Sequence, residues 1–207
     1  MPFDRLVAIP AARRLAARVT ALLRAPAAEW WVIARERATP RSLVTGYIVP
    51  LASIGAIALF VSDVAFGEPV PLIGRVRADP ATALASVLLL LAFTVIAVLG
   101  VAALVDALAP HFGGRRDRLG ALKLATYSHT PFWLAGVTNV LPGLRALLIL
   151  GAVYGVYLAF TGLPVLMRCE RPRTLRYALV AGACATLLFT AFSALVTLAT
   201  GLGPDLL

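Results

Sequence analysis

The sequence contains few of the residues from which catalytic and metal-binding sites are built. Its 207 residues include two histidines, two cysteines, ten acidic residues and a single lysine, Lys123. There is no HExxH, CxxC or Gly-x-Ser-x-Gly motif, and neither His111 nor His129 has a second ligand at metal-binding spacing along the chain. No acidic pair faces an apolar segment at helical spacing. These absences predict a protein that is not an enzyme, with no catalytic residue, no metal and no cofactor.

The two cysteines also exclude a disulfide framework. Cys169 lies in a predicted polar loop and Cys184 in the middle of an apolar block. Fifteen residues of helix would separate them by about 22 Å, too far for a disulfide within one helix. A secretory signal peptide is not expected either, because the first apolar block begins only near Leu43.

Charged residues are scarce, and hydrophobic residues are concentrated in blocks. Only 14% of the residues are charged, against about 25% in a typical soluble domain, while 60% are hydrophobic. The mean hydropathy is +0.89. A membrane-spanning helix needs ~20 apolar residues. We therefore predict an all-α, polytopic membrane protein with a segment at 1–42, cytoplasmic or interfacial, and a five-helix transmembrane domain at 43–207. The expected spans are about 43–66, 81–108, 120–141, 144–167 and 177–202.

The net charge of +9 comes almost entirely from arginines that flank the apolar blocks. Counted over the expected spans, sixteen basic residues lie on the side of the N-terminus and three on the other side. This asymmetry places the N-terminus in the cytoplasm and, after five spans, the C-terminus outside. Membrane lipid, not nucleic acid, is the expected partner. The composition, rich in Ala, Arg and Leu, points to a bacterial host, so the expected membrane is a bacterial inner membrane. The C-terminus, which the charge asymmetry places outside, is then expected in the periplasm.

The N-terminal segment has the pattern of an amphipathic helix. From Ala11 to Leu23, leucines and a valine face one side while Arg13, Arg14 and Arg18 supply positive charge. These arginines are candidate contacts for anionic lipid. A helix packed on the cytoplasmic end of the bundle would show the same pattern. Trp30 and Trp31 are expected in the interfacial belt of aromatic residues.

The third expected span is interrupted by polar and helix-breaking residues. Pro131 has no N–H, so the carbonyl of Tyr127 loses its helical partner and needs another donor, such as the hydroxyl of Ser128 or Thr130. A turn that is polar nearly all round is expected inside the bundle. One interpretation is a kinked packing helix, and the other is the wall of a polar cavity. The candidate intramembrane cluster comprises Asp106, Lys123, Tyr127, Ser128, His129, Thr130 and Pro131, and an ion pair between Asp106 and Lys123 is plausible.

The fourth expected span contains a small-xxx-small pair, Gly151 and Gly155. Such a pair lets another helix approach closely. It serves either packing within the chain or self-association, so a homo-oligomer through these glycines remains possible.

These residues resemble the Yip family, the Ypt/Rab GTPase-interacting integral membrane proteins, in its bacterial branch. The most specific piece is the run Tyr-Ser-x-Thr-Pro-x-Trp-Leu-Ala-Gly that begins at Tyr127. The other matching pieces are Glu29-Trp30 with Ile33, the run from Gly46 to Leu51, Leu108-Ala109-Pro110, Phe112-Gly113-Gly114, Tyr154-x-x-Tyr157-Leu158 and Gly162-Leu163-Pro164. The resemblance covers nearly the whole chain. It implies a five-helix membrane domain with a cytoplasmic N-terminal segment, and eukaryotic members act in vesicle traffic.

Two hypotheses for function follow. The first is a non-enzymatic membrane adaptor or membrane-organising protein with an unknown protein partner. The second is a small transporter or permeation pathway for an ion, lipid or small solute through the polar third span. A water-filled cavity that reaches His129 would favour the second hypothesis, and a dry, packed centre would favour the first.

Overall fold

The computed structural model describes residues 11–70 and 74–200, and this part of the chain is almost entirely helical. The α-helices are α1 (Ala11–Arg24), α2 (Pro26–Arg35), α3 (Pro40–Leu43), α4 (Val49–Val61), α5 (Pro80–Leu108), α6 (Arg118–Ser128), α7 (Thr130–Ala135), α8 (Leu148–Leu166) and α9 (Arg171–Thr200). Short 3-10 helices cover Ala109–Phe112, Gly136–Val140 and Pro142–Leu147, and π-helical turns cover Val44–Ile48 and Ser62–Phe66. Two strands, β1 (Glu68–Val70) and β2 (Gly74–Val76), pair antiparallel. The predicted all-helical class is confirmed, apart from this short hairpin.

Three helices in the described part of the chain are long and apolar enough to cross a membrane. They run over Pro40–Phe66, Pro80–Phe112 and Gly143–Leu166. They correspond to the first, second and fourth of the five spans expected from the sequence. The third expected span is broken into shorter helices, and the end of the fifth, at 202, lies outside the described residues. The structure therefore supports a membrane protein, while the count of five spans stays a prediction.

Local side-chain signals set the beginnings of these helices. The hydroxyl of Thr39 accepts a hydrogen bond from the backbone N–H of Ser42 at 3.1 Å, and the Ser42 hydroxyl accepts one from the N–H of Thr39 at 2.9 Å. This capping box opens the first span. Asp79 caps α5 through two backbone N–H groups, and Asp117 caps α6 through the N–H of Gly120 at 2.8 Å.

Proline explains the interruption of the first span. Pro50 stands in the first turn of α4, and the π-helical turn Val44–Ile48 lies just before it. Since Pro50 has no N–H, the regular ladder of helical hydrogen bonds cannot continue through this position. The irregularity in the first third of this span thus has its cause in Pro50.

Helix α6 lies at the centre of the bundle. Each of its residues from Gly120 to Ser128 is buried, including Lys123 and Thr126. It packs against α5 on one side and α8 on another. A helix with no exposed face from its third residue onward is a core element, because every direction around it is occupied by protein.

The glycines of α8 bring α6 and α7 close to it. A Cβ atom added at Gly151 would lie 2.7 Å from the carbonyl oxygen of Pro131, and one at Gly155 would lie 2.7 Å from that of Ser128. Only glycine allows this approach of helix backbones. In this fold the small-residue stripe contacts α6 and α7 of the same chain, and self-association through it stays a prediction.

An ionic contact lies just before the β-hairpin, where the first membrane-capable helix ends. Arg145 donates to the Ser62 hydroxyl at 3.4 Å and lies 3.7 Å from a carboxylate oxygen of Asp63. Asp63 thus contacts the 3-10 turn Pro142–Leu147 that precedes α8. Both cysteines are free, with Cys169 buried and Cys184 partly exposed.

Candidate functional site

The polar run in the third segment divides one helix into two. Helix α6 ends at Ser128 and α7 begins at Thr130, so the expected continuous span over 120–141 is corrected to two α-helices followed by 3-10 turns. The Thr130 hydroxyl donates to the carbonyl of Tyr127 at 2.7 Å. This carbonyl is the one that Pro131 leaves without a helical partner, and the predicted replacement by a local hydroxyl is confirmed.

A second hydroxyl, that of Tyr47, extends this hydrogen bond into a relay of two. The hydroxyl oxygens of Tyr47 and Thr130 are 2.8 Å apart. Because the hydroxyl hydrogen of Thr130 is used toward Tyr127, Tyr47 is the donor in this contact. The relay runs from Tyr47 through Thr130 to the Tyr127 carbonyl, and it joins the first span to the break in the third segment.

Aromatic rings surround the relay. The ring of Tyr127 makes edge contacts with Tyr47 at 4.6 Å and with Trp30 at 6.4 Å between centroids. Trp133 lies 6.5 Å from Tyr47 and is stacked with His129 at 5.8 Å. Edge-to-face pairs of this kind add about 0.5–1.5 kcal/mol each beyond their buried area. The centre of the bundle is therefore filled by aromatic packing around a satisfied hydrogen-bond relay.

His129 is used locally in this arrangement. Its Nδ1 lies 2.6 Å from the carbonyl oxygen of Ala125. A carbonyl only accepts, so Nδ1 carries the hydrogen and donates. The imidazole thereby satisfies a backbone group one turn back, at the point where α6 ends. The geometry favours a hydrogen-bonded packing role for His129.

The N-terminal helices are anchored into the bundle by Trp30. This side chain is fully buried, and its Nε1 donates to the Thr161 hydroxyl on α8 at 3.1 Å. Its ring lies against Gly162, where an added Cβ would be 2.6 Å from a ring carbon. The prediction that both tryptophans lie in the interfacial belt is wrong for Trp30, because glycine on α8 opens a core site for it. Trp31, the next residue, is 56% exposed.

Lys123 closes the end of α2. The residue is only 4% exposed, and its Nζ donates to the carbonyls of Ile33 at 2.8 Å and Glu36 at 2.7 Å. These carbonyls belong to the last turn of α2 and its cap, where a cation is stabilised by the helix dipole. The suggested ion pair with Asp106 is not formed in the described residues. Lys123 instead attaches the N-terminal segment to the central helix.

Arg18 makes the third attachment. Its guanidinium donates to the carboxylates of Glu29 and Glu36 and lies 5.9 Å from the centre of the Tyr127 ring. Although burial lowers the pKa of Arg18, the nearby charges, with Glu36 foremost, hold it above its ordinary value. Arg18 is thus engaged inside the protein, whereas Arg13 and Arg14 are exposed. Arg18 thus pairs with both glutamates of the N-terminal segment.

The last turn of α1 contacts α8. The hydroxyl of Tyr154 donates to the carbonyl of Leu23 at 2.8 Å, which satisfies a carbonyl in the last turn of α1. An apolar groove of about 410 Å³ lies beside this contact, between Leu23, Pro131 and Leu150. Leu15, Val19 and Leu22 pack on the core. We call α1 and α2 together the N-terminal hairpin.

Three residues of the predicted cluster stand apart from these contacts. Asp106, Thr126 and Ser128 are at least nine-tenths buried, and each has a side-chain oxygen without a hydrogen-bond partner in the described structure. Near Asp106, the Tyr177 hydroxyl donates to the carbonyl of Val105. The structure therefore brings together Tyr127, His129, Thr130 and Pro131, and it separates Asp106 from Lys123.

Sequence reasoning missed the partners that come from elsewhere in the chain. Tyr47, Trp30 and Thr161 carry no local signal of their contacts, because their partners lie more than 80 residues away. In the described residues, no group of three His, Cys, Asp or Glu side chains has an arrangement that would hold a metal ion. Hydrogen bonds of Lys123, Tyr154 and Trp30 hold the N-terminal hairpin against α6 and α8. The ion pairs of Arg18 join α1 to α2 and its cap.

Comparison with known families gives one match. A family model described as the Yip1 domain matches the chain over residues 20–194, from within α1 into α9. Comparisons with curated proteins and with solved structures gave no match.

Proposed function

Since this chain belongs to the Yip1-domain family, we propose that it is a non-enzymatic integral membrane protein that acts as an adaptor or membrane-organising protein. The observation that supports this proposal is the filled centre of the bundle. At the break of the third segment, the side chains of Tyr47, His129 and Thr130 are bonded to one another or to backbone carbonyls. A relay of this kind stabilises a fixed packing arrangement and does not require a substrate.

The proposed location is a bacterial inner membrane with five spans, a cytoplasmic N-terminus and a periplasmic C-terminus. The supporting observations are the three apolar helices and the sixteen-to-three distribution of basic residues. A reporter fused after Leu207 should be active in the periplasm. Cytoplasmic activity of that fusion would contradict the five-span orientation.

The N-terminal hairpin is the part of the molecule that we propose presents the adaptor surface. It is held by Trp30, Lys123 and Arg18, and it exposes Arg13 and Arg14 on its outer face. In this orientation the exposed arginines remain candidate contacts for anionic lipid or an acidic protein segment.

A specific observation supports a second candidate function, a permeation pathway. The buried side-chain oxygens of Asp106, Thr126 and Ser128 without a protein partner are groups that ordered water or an ion would satisfy. They lie on α5 and on the central helix α6, where a pathway would have to pass.

Reconstitution distinguishes the two candidates. The purified protein is placed in liposomes loaded with a pH-sensitive or ion-sensitive dye, and flux is compared with that of empty liposomes. The adaptor proposal predicts no protein-dependent flux. Flux that depends on the protein and stops in the Thr126→Val/Ser128→Ala variant would refute it in favour of permeation. In parallel, crosslinking in native membranes followed by affinity purification should recover a partner with the wild type. Recovery should fall in Trp30→Ala but persist in Arg75→Gln/Arg77→Gln, which changes only the loop between the first two spans.

A further inference from the structure

Two arginine-bearing loops meet at one end of the bundle. The backbone N–H of Arg115 donates to the carbonyl of Met167 at 2.8 Å, which joins the loop after α5 to the loop after α8. Gly114 fits closely against the second loop, since an added Cβ would lie 3.0 Å from the same carbonyl. The Arg173 guanidinium lies over Gly113, 2.7 Å from where a Cβ would stand. The two loops therefore form one continuous surface.

Positive charge dominates this surface. Six exposed arginines lie in these two loops and in the adjoining starts of α6 and α9, and we call them the loop arginine surface. They are Arg115, Arg116 and Arg168 in the loops, Arg118 at the start of α6, and Arg173 and Arg176 near the start of α9. Of the two acidic residues nearby, Asp117 is used to cap α6 and Glu170 pairs with Arg173 at 3.6 Å. Most of the guanidinium groups have no carboxylate of their own among these loop residues.

The loops are also held in defined shapes. Phe112 and Tyr177 stack beneath the surface with their ring planes 6° apart and their centroids 4.9 Å apart. Arg168 has a backbone φ of +53°, a left-handed conformation that residues other than glycine rarely adopt. Such a conformation persists only where the surrounding structure enforces it. The guanidinium groups are thus presented by a rigid support.

We propose that the loop arginine surface binds the phosphate groups of anionic phospholipids in the membrane. Its position supports a lipid, because the two loops follow the ends of the membrane-capable helices Pro80–Phe112 and Gly143–Leu166. Basic surfaces at that depth meet the headgroups of the leaflet. The planar guanidinium fork matches a phosphate in a bidentate manner. The inference rests on the proposed membrane location.

The test is selective lipid retention by the full-length protein. Wild-type protein is purified in mild detergent with an equal mixture of phosphatidylglycerol and phosphatidylcholine, and the bound lipids are counted by native mass spectrometry. We expect several-fold enrichment of phosphatidylglycerol, which should fall toward parity in the Arg115→Gln/Arg116→Gln/Arg168→Gln variant. The matched control, Arg75→Gln/Arg77→Gln, removes charge between the first two spans and should keep the enrichment.

Two further measurements use the wild-type protein and do not require a stable triple variant. Enrichment by the wild type should decrease as salt is raised, because exposed charges are screened. An enrichment that is indifferent to salt, or that is unchanged in a folded triple variant, would overturn the proposal. An excess of glycerol 3-phosphate should not displace the lipid, and displacement would assign the surface to a soluble phosphate compound instead. These readouts do not involve flux or partner capture, so their failure is distinguishable from failure of the adaptor proposal.

Discussion

The direction of the hydrogen-bond relay predicts unequal effects of two nearly isosteric substitutions. In Thr130→Val, the Tyr127 carbonyl loses its donor, and Pro131 cannot replace it because proline has no N–H. The hydroxyl of Tyr47 also loses its acceptor. An unsatisfied buried group costs about 1–3 kcal/mol, so the combined loss from the two groups should be about 2–6 kcal/mol. Tyr47→Phe removes only the donor to Thr130 and should cost about 0.5–1.5 kcal/mol, a typical net hydrogen bond.

The assay is equilibrium unfolding in mixed detergent micelles, with tryptophan fluorescence as the signal. A double-mutant cycle measures the coupling, and Tyr47→Phe should add little in the Thr130→Val background, because the bond is already absent. Thr45→Val, at an exposed hydroxyl that contacts the carbonyl of Arg41, serves as the control with a change within about 0.5 kcal/mol. If Tyr47→Phe proves as costly as Thr130→Val, the assigned direction of the relay is wrong.

Three further outcomes follow from the same contacts. Pro131→Ala restores a backbone N–H and should recover part of the stability lost in Thr130→Val, whereas further loss in the double variant would contradict this account. Lys123→Met removes the two hydrogen bonds from Nζ to the carbonyls at the end of α2. Limited trypsin digestion after Arg35 should therefore become faster. An unchanged rate would show that Lys123 does not hold the hairpin. Trp30→Ala should cost about 3–5 kcal/mol, and its neighbour Trp31→Ala less than about 0.5 kcal/mol, with both measured by thermal unfolding; equal losses would refute the burial difference.

Local chemistry was readable from the sequence. The carbonyl of Tyr127 and the hydroxyl of Thr130 are three residues apart, so the consequence of Pro131 is decided within one helical turn. The helical class and the apolar blocks were predictable for the same reason. Each depends on composition, on periodicity or on a pattern confined to a short stretch of chain.

The attachment of the N-terminal hairpin was not readable in this way. Trp30 and Thr161 are 131 positions apart, and their contact depends on how α2 lies on α8. The sequence suggests an ion pair between Lys123 and Asp106. However, the position of a residue along its helix does not define the direction in which its side chain leaves that helix. The carbonyls at the end of α2 became the partners of Lys123 because the hairpin folds back onto α6, which a linear pattern does not encode.

The glycine stripe of α8 allows a final test of whether this bundle is held by contacts within one chain. A Cβ at Gly155 would lie 2.7 Å from the Ser128 carbonyl, so Gly155→Ala forces α6 and α8 apart at an expected cost of about 1–3 kcal/mol. That cost exceeds the roughly 0.5–1 kcal/mol that alanine gains over glycine in a helix. Gly100 on α5 has nothing within 4 Å of its added Cβ, so Gly100→Ala should retain that gain and serve as the matched control.

Thermal unfolding measures the stability, and light scattering after size-exclusion chromatography measures the mass of the protein in detergent. Packing within the chain predicts a lower melting temperature for Gly155→Ala at unchanged mass. Unchanged stability with a fall from dimer to monomer would instead assign the stripe to self-association, since only a contact between copies would then have been lost.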